Sequence, residues 1–210
     1  MANYGDTFYR IEGSKEDLEK VGASIKKALE THDERTSPGR EGNVLIDLGE
    51  QKKEVIEMRG FVEEYSLDDN CLSIYAREAW RTTDFRFVLK KLMPDLTIYY
   101  SFEEAGNDIF ETNDLEGKYF PNRFVLDGCI NGEDIYDYFK TENELIKSFA
   151  KRIGLEIISR DDVDEWNKEH EGDRDEYGSH DNYISIHEFE VVDDSDSYYK
   201  AIRGLLHLMH

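Results

Sequence analysis

The stretch from Leu72 to Thr112 constrains the fold more than any other part of the chain, because its hydrophobic pattern changes period twice. Apolar and polar residues alternate over Leu72–Ala76, which predicts a strand with one buried face. A helix is predicted next, because the apolar residues of Phe85–Leu92 share one stripe before Pro94 ends it. Alternation returns over Leu96–Phe102. The order strand, helix, strand predicts two parallel strands joined by a right-handed crossover.

The residues before this stretch extend the pattern at its amino-terminal side. Phe8–Glu12 predicts a first strand, and Ser14 is a favourable N-cap for a helix whose apolar face runs over Leu18–Leu29. Asn43–Leu48 and Val55–Tyr65 have the composition of strands. The resulting order is the split βαβ arrangement, in which two helices cover one face of an antiparallel sheet. We therefore predict an α+β fold built on a ferredoxin-like sheet.

The second part of the chain contains the clearest turn and capping signals. Asn131-Gly132 lies between two strand-like segments, and this pair favours a type I′ hairpin because both positions need positive φ. Thr141 and Glu144 have capping-box spacing ahead of an apolar helical stripe that Gly154 ends. These signals predict an appended second α+β half.

The end of the chain is less regular. The polar run Asp161–Asn182 predicts a surface excursion, Tyr183–Val192 a strand with a bulge near His187, and the residues after Asp194 a last helix. We predict a ferredoxin-like half over residues 1–117 and a second half over 118–210.

One group of residues resembles a known family. Trp80 precedes the predicted helix, Pro94-Asp95-Leu96 follows it, and the next strand leads into Glu103-Glu104-Ala105-Gly106. This stretch, residues 72–112, resembles the YubB-like proteins, a plasmid- and phage-borne family of unknown function with a ferredoxin-like domain. It departs from the family at Arg81-Thr82-Thr83, where the family has prolines. The resemblance implies a ferredoxin-like fold and an origin in a mobile element, and it implies no catalytic residues.

Net charge restricts the partners of this chain. It has 48 acidic and 26 basic residues, a formal net charge of −22. Such a field repels phosphate, which argues against direct binding to nucleic acid or an anionic membrane and favours a basic protein partner. No signal peptide or apolar run of about 20 residues is present. Cys71 and Cys129 have no CxxC spacing. We expect a soluble cytoplasmic protein.

Tests for common catalytic and metal motifs fail. The acidic segment that starts at Asp173 has Tyr177 and Ile184 where a calcium loop needs oxygen ligands. No GxSxG elbow or Gly-rich phosphate loop is present, and both cysteines have apolar strand neighbours, which do not activate a thiol. Three histidines match no zinc spacing; they are His170, His180 and His187. The sequence predicts no catalytic residue, metal ligand or cofactor.

The hypothesis that follows is a non-enzymatic, acidic protein-binding module. It would inhibit a basic nucleic-acid-handling partner, such as a bacterial defence nuclease, by placing carboxylates where DNA phosphates bind. The predicted contact residues are Asp161, Asp162, Asp164, Glu165, Glu169, Glu171, Asp173 and Asp175, with Trp166 as an apolar anchor.

Two alternatives stay open, a metal-dependent hydrolase around His170, His180 and His187 and an immunity-type neutralising partner. Surface tyrosines such as Tyr136 and Tyr138 add a further expectation, that part of the aromatic content forms an interface.

Overall fold

The computed structural model describes residues 4–30, 38–51, 58–68, 70–79, 84–172 and 181–193, and it has an α+β fold. The chain divides into two compact units. The first contains residues 1–115 and 191–210, and the second contains residues 116–190. The described residues after Glu190 belong to the first unit, where the N–H of Val192 donates a 2.8 Å hydrogen bond to the carbonyl of Thr112.

The first unit is built on a six-stranded sheet. Its strands are β1 (Tyr4–Glu12), β2 (Gly60–Asp68), β3 (Cys71–Ala79), β4 (Thr97–Glu104), β5 (Ile109–Thr112) and β9 (Glu190–Val191), in the order β2-β3-β1-β4-β5-β9. β1 pairs antiparallel with both β3 and β4. β3 and β4 therefore run in the same direction, as predicted, with β1 between them. The ferredoxin-like order β2-β3-β1-β4 is confirmed.

Within the described residues, three helices cover one face of this sheet. They are α1 (Lys15–Glu30), α2 (Glu41–Asp47) and α3 (Asp84–Leu92). Alternate strand residues such as Tyr9 and Ile74 share a buried core with Leu18 of α1, Leu45 of α2 and Phe85 of α3. The Ser14 hydroxyl accepts a 3.1 Å hydrogen bond from the Asp17 N–H, which confirms the predicted N-cap.

One predicted strand is wrong, since Asn43–Leu48 lies largely within α2. Val44 and Leu45 are adjacent apolar residues that fit either period, and both are buried against the other helices and the sheet. The predicted Val55–Tyr65 strand begins later, at Gly60, and residues 52–57 lie outside the described part of the chain.

The described residues of the second unit, 116–172 and 181–190, form a three-stranded antiparallel sheet and two helices. The strands β6 (Phe124–Ile130), β7 (Glu133–Phe139) and β8 (Tyr183–Glu188) lie in the order β7-β6-β8. The helices α4 (Glu142–Ile153) and α5 (Arg160–Glu169) pack their apolar sides on one sheet face. The β6–β7 hairpin turns at Asn131 and Gly132, with φ angles of 54° and 79°, as the Asn-Gly pair predicts.

The capping predictions for α4 are also confirmed. The Thr141 hydroxyl accepts from the Glu144 N–H, and the Glu144 carboxylate accepts from the Thr141 N–H. Gly154 ends the helix in the left-handed conformation, with φ of 69°.

The predicted bulge near His187 is a break between β8 and β9, and the predicted last helix lies outside the described residues. No helix in the described ranges is long and apolar enough to cross a bilayer.

Candidate protein-binding surface

Helix α5 occupies much of the segment for which the sequence predicted a surface excursion. Ser159 is its N-cap: its hydroxyl accepts from the Asp162 N–H, and the Asp162 carboxylate accepts from the Ser159 N–H at 3.0 Å. Val163 and Trp166 then fall on one side of the helix and are buried in the core of the second unit. The predicted surface excursion is therefore wrong for residues 161–169, which form a helix packed on the core. The missed signal is the capping-box spacing of Ser159 and Asp162 before this apolar pair.

The carboxylates predicted to bind a partner divide into three groups. Those of Asp161, Asp164, Glu165, Glu169 and Glu171 are on exposed residues, and α5 brings the first four onto its solvent side. Asp162 is half-buried, and its carboxylate accepts a hydrogen bond from the Ser159 N–H at the start of α5. It is therefore a capping residue. Asp173 and Asp175 lie outside the described residues. The solvent side of the helix thus carries these carboxylates together with one exposed cation, Lys168. The carboxylates recur about every three or four residues, a rise of about 4.5–6 Å.

Trp166 is not a surface anchor, which corrects the prediction. Its side chain is 5% exposed and packs edge-on against Phe149, with ring centroids 5.2 Å apart. The His170 ring stacks on the same indole with ring centroids 4.3 Å apart, and His170 Nδ1 lies 2.8 Å from the Trp166 carbonyl oxygen. The indole is large and faces the sheet from a capped helix, so burial is its most stable position.

Exposed apolar side chains lie just before the helix instead. Ile158 is 80% exposed and Leu155 is 54% exposed, in the connection between α4 and α5. Ile158 is followed by Ser159, Arg160 and Asp161, so an apolar surface adjoins the acidic end of the helix. The sequence contained the signal for this site, an Ile-Ile pair beside a helix cap, but only the structure separates the half-buried Ile157 from the exposed Ile158.

The electrostatics near the start of α5 strengthen its negative character. Arg160 forms ion pairs with Glu142 and Glu188, so this cation is already paired with acidic side chains. The pKa of Asp162 is lowered by the hydrogen bond from the Ile158 N–H, and then by those from Ser159. Asp162 is therefore ionised at neutral pH, at the helix N-terminus, where a negative charge is favourable.

The histidine-based alternative gains no geometric support among the described residues. No group of three or more His, Cys, Asp or Glu side chains there is arranged to hold a metal ion. His170 stacks on Trp166, and His180 lies outside the described ranges. The Nε2 of His187 is 3.7 Å from Asp127 Oδ2 on a strand of the small sheet.

A separate titratable cluster is buried in the first unit. The Glu78 carboxylate on β3 accepts hydrogen bonds from Thr7 Oγ1 at 2.8 Å and Tyr9 Oη at 2.7 Å, and it also bonds the Glu41 carboxyl group. Burial raises the pKa of Glu78, which is fully buried, against the opposing effects of these bonds and of Arg86. Two carboxyl groups in mutual contact favour sharing a proton. Sequence analysis missed this cluster, because its members come from separate strands and helices.

Arg86 provides the cation of this cluster. It is 2% exposed, and its guanidinium lies 4.1 Å from the ring centroid of Tyr100. A buried charge requires compensation of this kind. The cluster is enclosed beneath the helices, so it offers no accessible surface for a substrate.

Comparison with known proteins gives partial likenesses. No protein family model matches the chain, and no solved structure matches it. The chain is 28% identical over 150 residues to glutamate–tRNA ligase 1 from each of two strains of Campylobacter jejuni subsp. jejuni, 81-176 and 81116. It is 25% identical over 150 residues to glutamate–tRNA ligase 2 of Campylobacter jejuni subsp. doylei. These alignments cover 64% of this chain, which spans about a third of the ligases, 34%.

Proposed function

We propose that this protein is a non-enzymatic binding module that blocks a basic, nucleic-acid-handling protein by presenting carboxylates in place of phosphates. The observation that carries the proposal is the solvent side of α5, where Asp161, Asp164, Glu165 and Glu169 are all exposed. Phosphates in one DNA strand recur about every 3.4 Å along the duplex axis, a spacing of the same order as that of these carboxylates. A groove lined with Lys and Arg therefore attracts both the phosphates of DNA and the carboxylates of α5.

The exposed apolar residues beside α5 support a protein partner over a free cation. Protein interfaces contain an apolar centre surrounded by polar and charged groups. Ile158 and Leu155 supply the apolar part, and the carboxylates from Asp161 onward supply the charged part. Electrostatic attraction then speeds the encounter, and burial of Ile158 slows dissociation.

The test is capture from a nuclease-treated bacterial lysate on the immobilised full chain, with a rising salt gradient and a competing duplex DNA. We expect a basic nucleic-acid-binding protein to elute at moderate salt and to be displaced by DNA, because screening weakens charge attraction. A partner that salt and DNA leave in place would contradict phosphate mimicry.

A pair of charge-matched variants makes this test specific to α5. The first variant carries Asp161→Asn, Asp164→Asn, Glu165→Gln and Glu169→Gln. The control removes the same charge from exposed residues of the first unit, through Glu16→Gln, Glu63→Gln, Glu64→Gln and Asp68→Asn. Capture should fail with the first variant and persist with the control. Equal loss in both would show that net charge alone retains the partner.

A further inference from the structure

The second unit has another distinctive surface, the face of its small sheet that is turned away from α4 and α5. Leu126, Ile135 and Ile184 point into the core with the helices, so the alternate residues of the three strands point outward. The register places these outward residues in three rows across the sheet. The rows are Tyr138, Val125 and His187; Tyr136, Asp127 and Ser185; and Asp134, Cys129 and Tyr183.

Three tyrosines on this face keep a large part of their surface in solvent. Tyr136 and Tyr138 are each 42% exposed, and Tyr183 is 41% exposed. The rings of Tyr136 and Tyr138 meet edge to face, with centroids 5.5 Å apart and an interplanar angle of 76°. Aromatic faces in this state of exposure attract cations through the ring quadrupole.

Two carboxylates lie among these rings. Asp127 is directly opposite Tyr136 on the neighbouring strand, and Asp134 occupies the same row as Tyr183. Both carboxylates act on the Tyr183 phenol, whose pKa is raised first by burial and then by Asp127 and Asp134. The outward rows contain neither Lys nor Arg, and His187, 3.7 Å from Asp127, is their only basic side chain. Val125, Cys129 and His187 are buried, so the accessible part of this face consists of the three tyrosines with Asp127, Asp134 and Ser185. That accessible part combines negative charge with aromatic surface.

We propose that this face binds arginine side chains of a basic protein segment, with a guanidinium over Tyr136 or Tyr183 and paired with Asp127 or Asp134. A guanidinium is planar, stacks on aromatic rings and pairs with a carboxylate in the same plane, whereas an ammonium group does not stack. The occupant is thus an arginine-rich segment in preference to a lysine-rich one. This surface lies on the opposite side of the sheet from α5, so the inference stands or falls separately from the α5 proposal.

The test is fluorescence anisotropy of two labelled peptides of equal length, one of consecutive arginines and one of consecutive lysines, titrated with the full chain at physiological ionic strength. We expect the arginine peptide to bind more tightly. Asp127→Asn and Tyr136→Leu should each weaken its binding about fivefold to tenfold, the range of a cation–π contact or a charge-assisted pair.

Matched controls separate a local site from a general field. Asp68→Asn removes the same charge from an exposed position of the first unit, and Tyr4→Leu removes a tyrosine of similar exposure, 39%, from the same unit. Both controls should change the affinity by less than about twofold.

Two results would overturn the arginine site. Equal affinity for the two peptides would show that stacking plays no part. An equal effect of Asp127→Asn and Asp68→Asn would show that only the overall field attracts the peptides. Either result would leave the α5 proposal untouched, because that proposal depends on capture of a partner by the Asp161 to Glu169 surface.

Discussion

The phenol of Tyr9 on β1 donates a 2.7 Å hydrogen bond to Oε1 of Glu78 on β3, beneath the helices of the first unit. The same carboxylate accepts from Thr7 and bonds Glu41, so one buried acidic group links the sheet to the start of α2. Burial disfavours the charged form, and the hydrogen bonds favour it. The net effect is a raised pKa for Glu78.

The Glu78→Gln variant should remove a pH dependence of stability. The folded state keeps a proton on Glu78 above the ordinary pKa of 4.5, whereas the unfolded state releases it. The unfolded state then binds fewer protons, so the free energy of unfolding of the wild type falls as pH rises from 4.5 toward the folded pKa. Urea denaturation at a series of pH values should show the wild type losing stability relative to Glu78→Gln over this window.

The control for this measurement is Glu64→Gln, because Glu64 is exposed on the neighbouring strand β2. Its stability difference from the wild type should stay nearly constant across the same pH range. A constant difference for Glu78→Gln as well would mean that Glu78 ionises in the folded protein as it does in the unfolded chain.

Trp166→Ala should destabilise the second unit by about 3–5 kcal/mol, the cost of a large cavity in a core. The indole is 5% exposed and contacts both Phe149 and His170, so truncation removes packing on two sides. Chemical denaturation followed by circular dichroism measures the loss. Trp166→Phe keeps most of the apolar volume and should cost much less. A neutral effect of Trp166→Ala would mean that the indole is a surface group after all.

Ser159→Ala should weaken the start of α5 by about 1 kcal/mol, the usual effect of losing an N-cap side chain. The substitution removes the hydroxyl that accepts from the Asp162 N–H. Ser148→Ala, within α4, is the control, because Ser148 does not cap a helix. Denaturation midpoints of the two variants should differ, with Ser159→Ala the lower. Equal midpoints would indicate that the cap contributes nothing to stability.

The same cap has a pH dependence of known sign. The pKa of Asp162 in the folded protein is lowered from its ordinary value of 3.8. The stability that Asp162 contributes to the fold is therefore fully present above pH 3.8 and is lost as the pH falls through the folded pKa. In Asp162→Asn this acid-dependent loss should disappear. The free energies of unfolding of the wild type and of Asp162→Asn should therefore differ at neutral pH and converge at low pH. A difference that stays constant across this range would contradict the role of Asp162.

Gly128→Ala should disrupt the small sheet and cost about 3 kcal/mol or more, because the new methyl group meets backbone that cannot move aside. A Cβ at this position would lie 2.1 Å from the carbonyl oxygen of Tyr183 on β8. Gly154→Ala is a useful comparison, since its φ of 69° is left-handed but nothing lies within 4 Å of the added atom. That variant should cost about 1 kcal/mol. Similar thermal stabilities for the two would contradict the close contact of β6 and β8.

Local patterns were sufficient to predict several elements. The Asn131-Gly132 hairpin, the Thr141 capping box and the Gly154 helix end were predicted correctly, because each depends on backbone conformations that neighbouring residues determine. The Asn43–Leu48 segment was assigned to the wrong element. Its short apolar run is compatible with strand and helix, and packing in the core of the first unit decided between them.

The candidate surfaces required more than local pattern. Composition established a strong negative charge, and the spacing along residues 160–169 contained the helix that presents part of it. Which large side chains face solvent depended on how α5 docks: Trp166 turned into the core, while Ile158 stayed outside.

The sequence by itself determined the caps, the turn, the alternation of the strands and the sign of the charge, since these are properties of adjacent residues. Tertiary structure alone brought Tyr9 to Glu78, and Asp127 close to Tyr183. The physical reason is that strand pairing joins residues far apart in the chain, and the register of that pairing is set by burial of the whole sheet face at once.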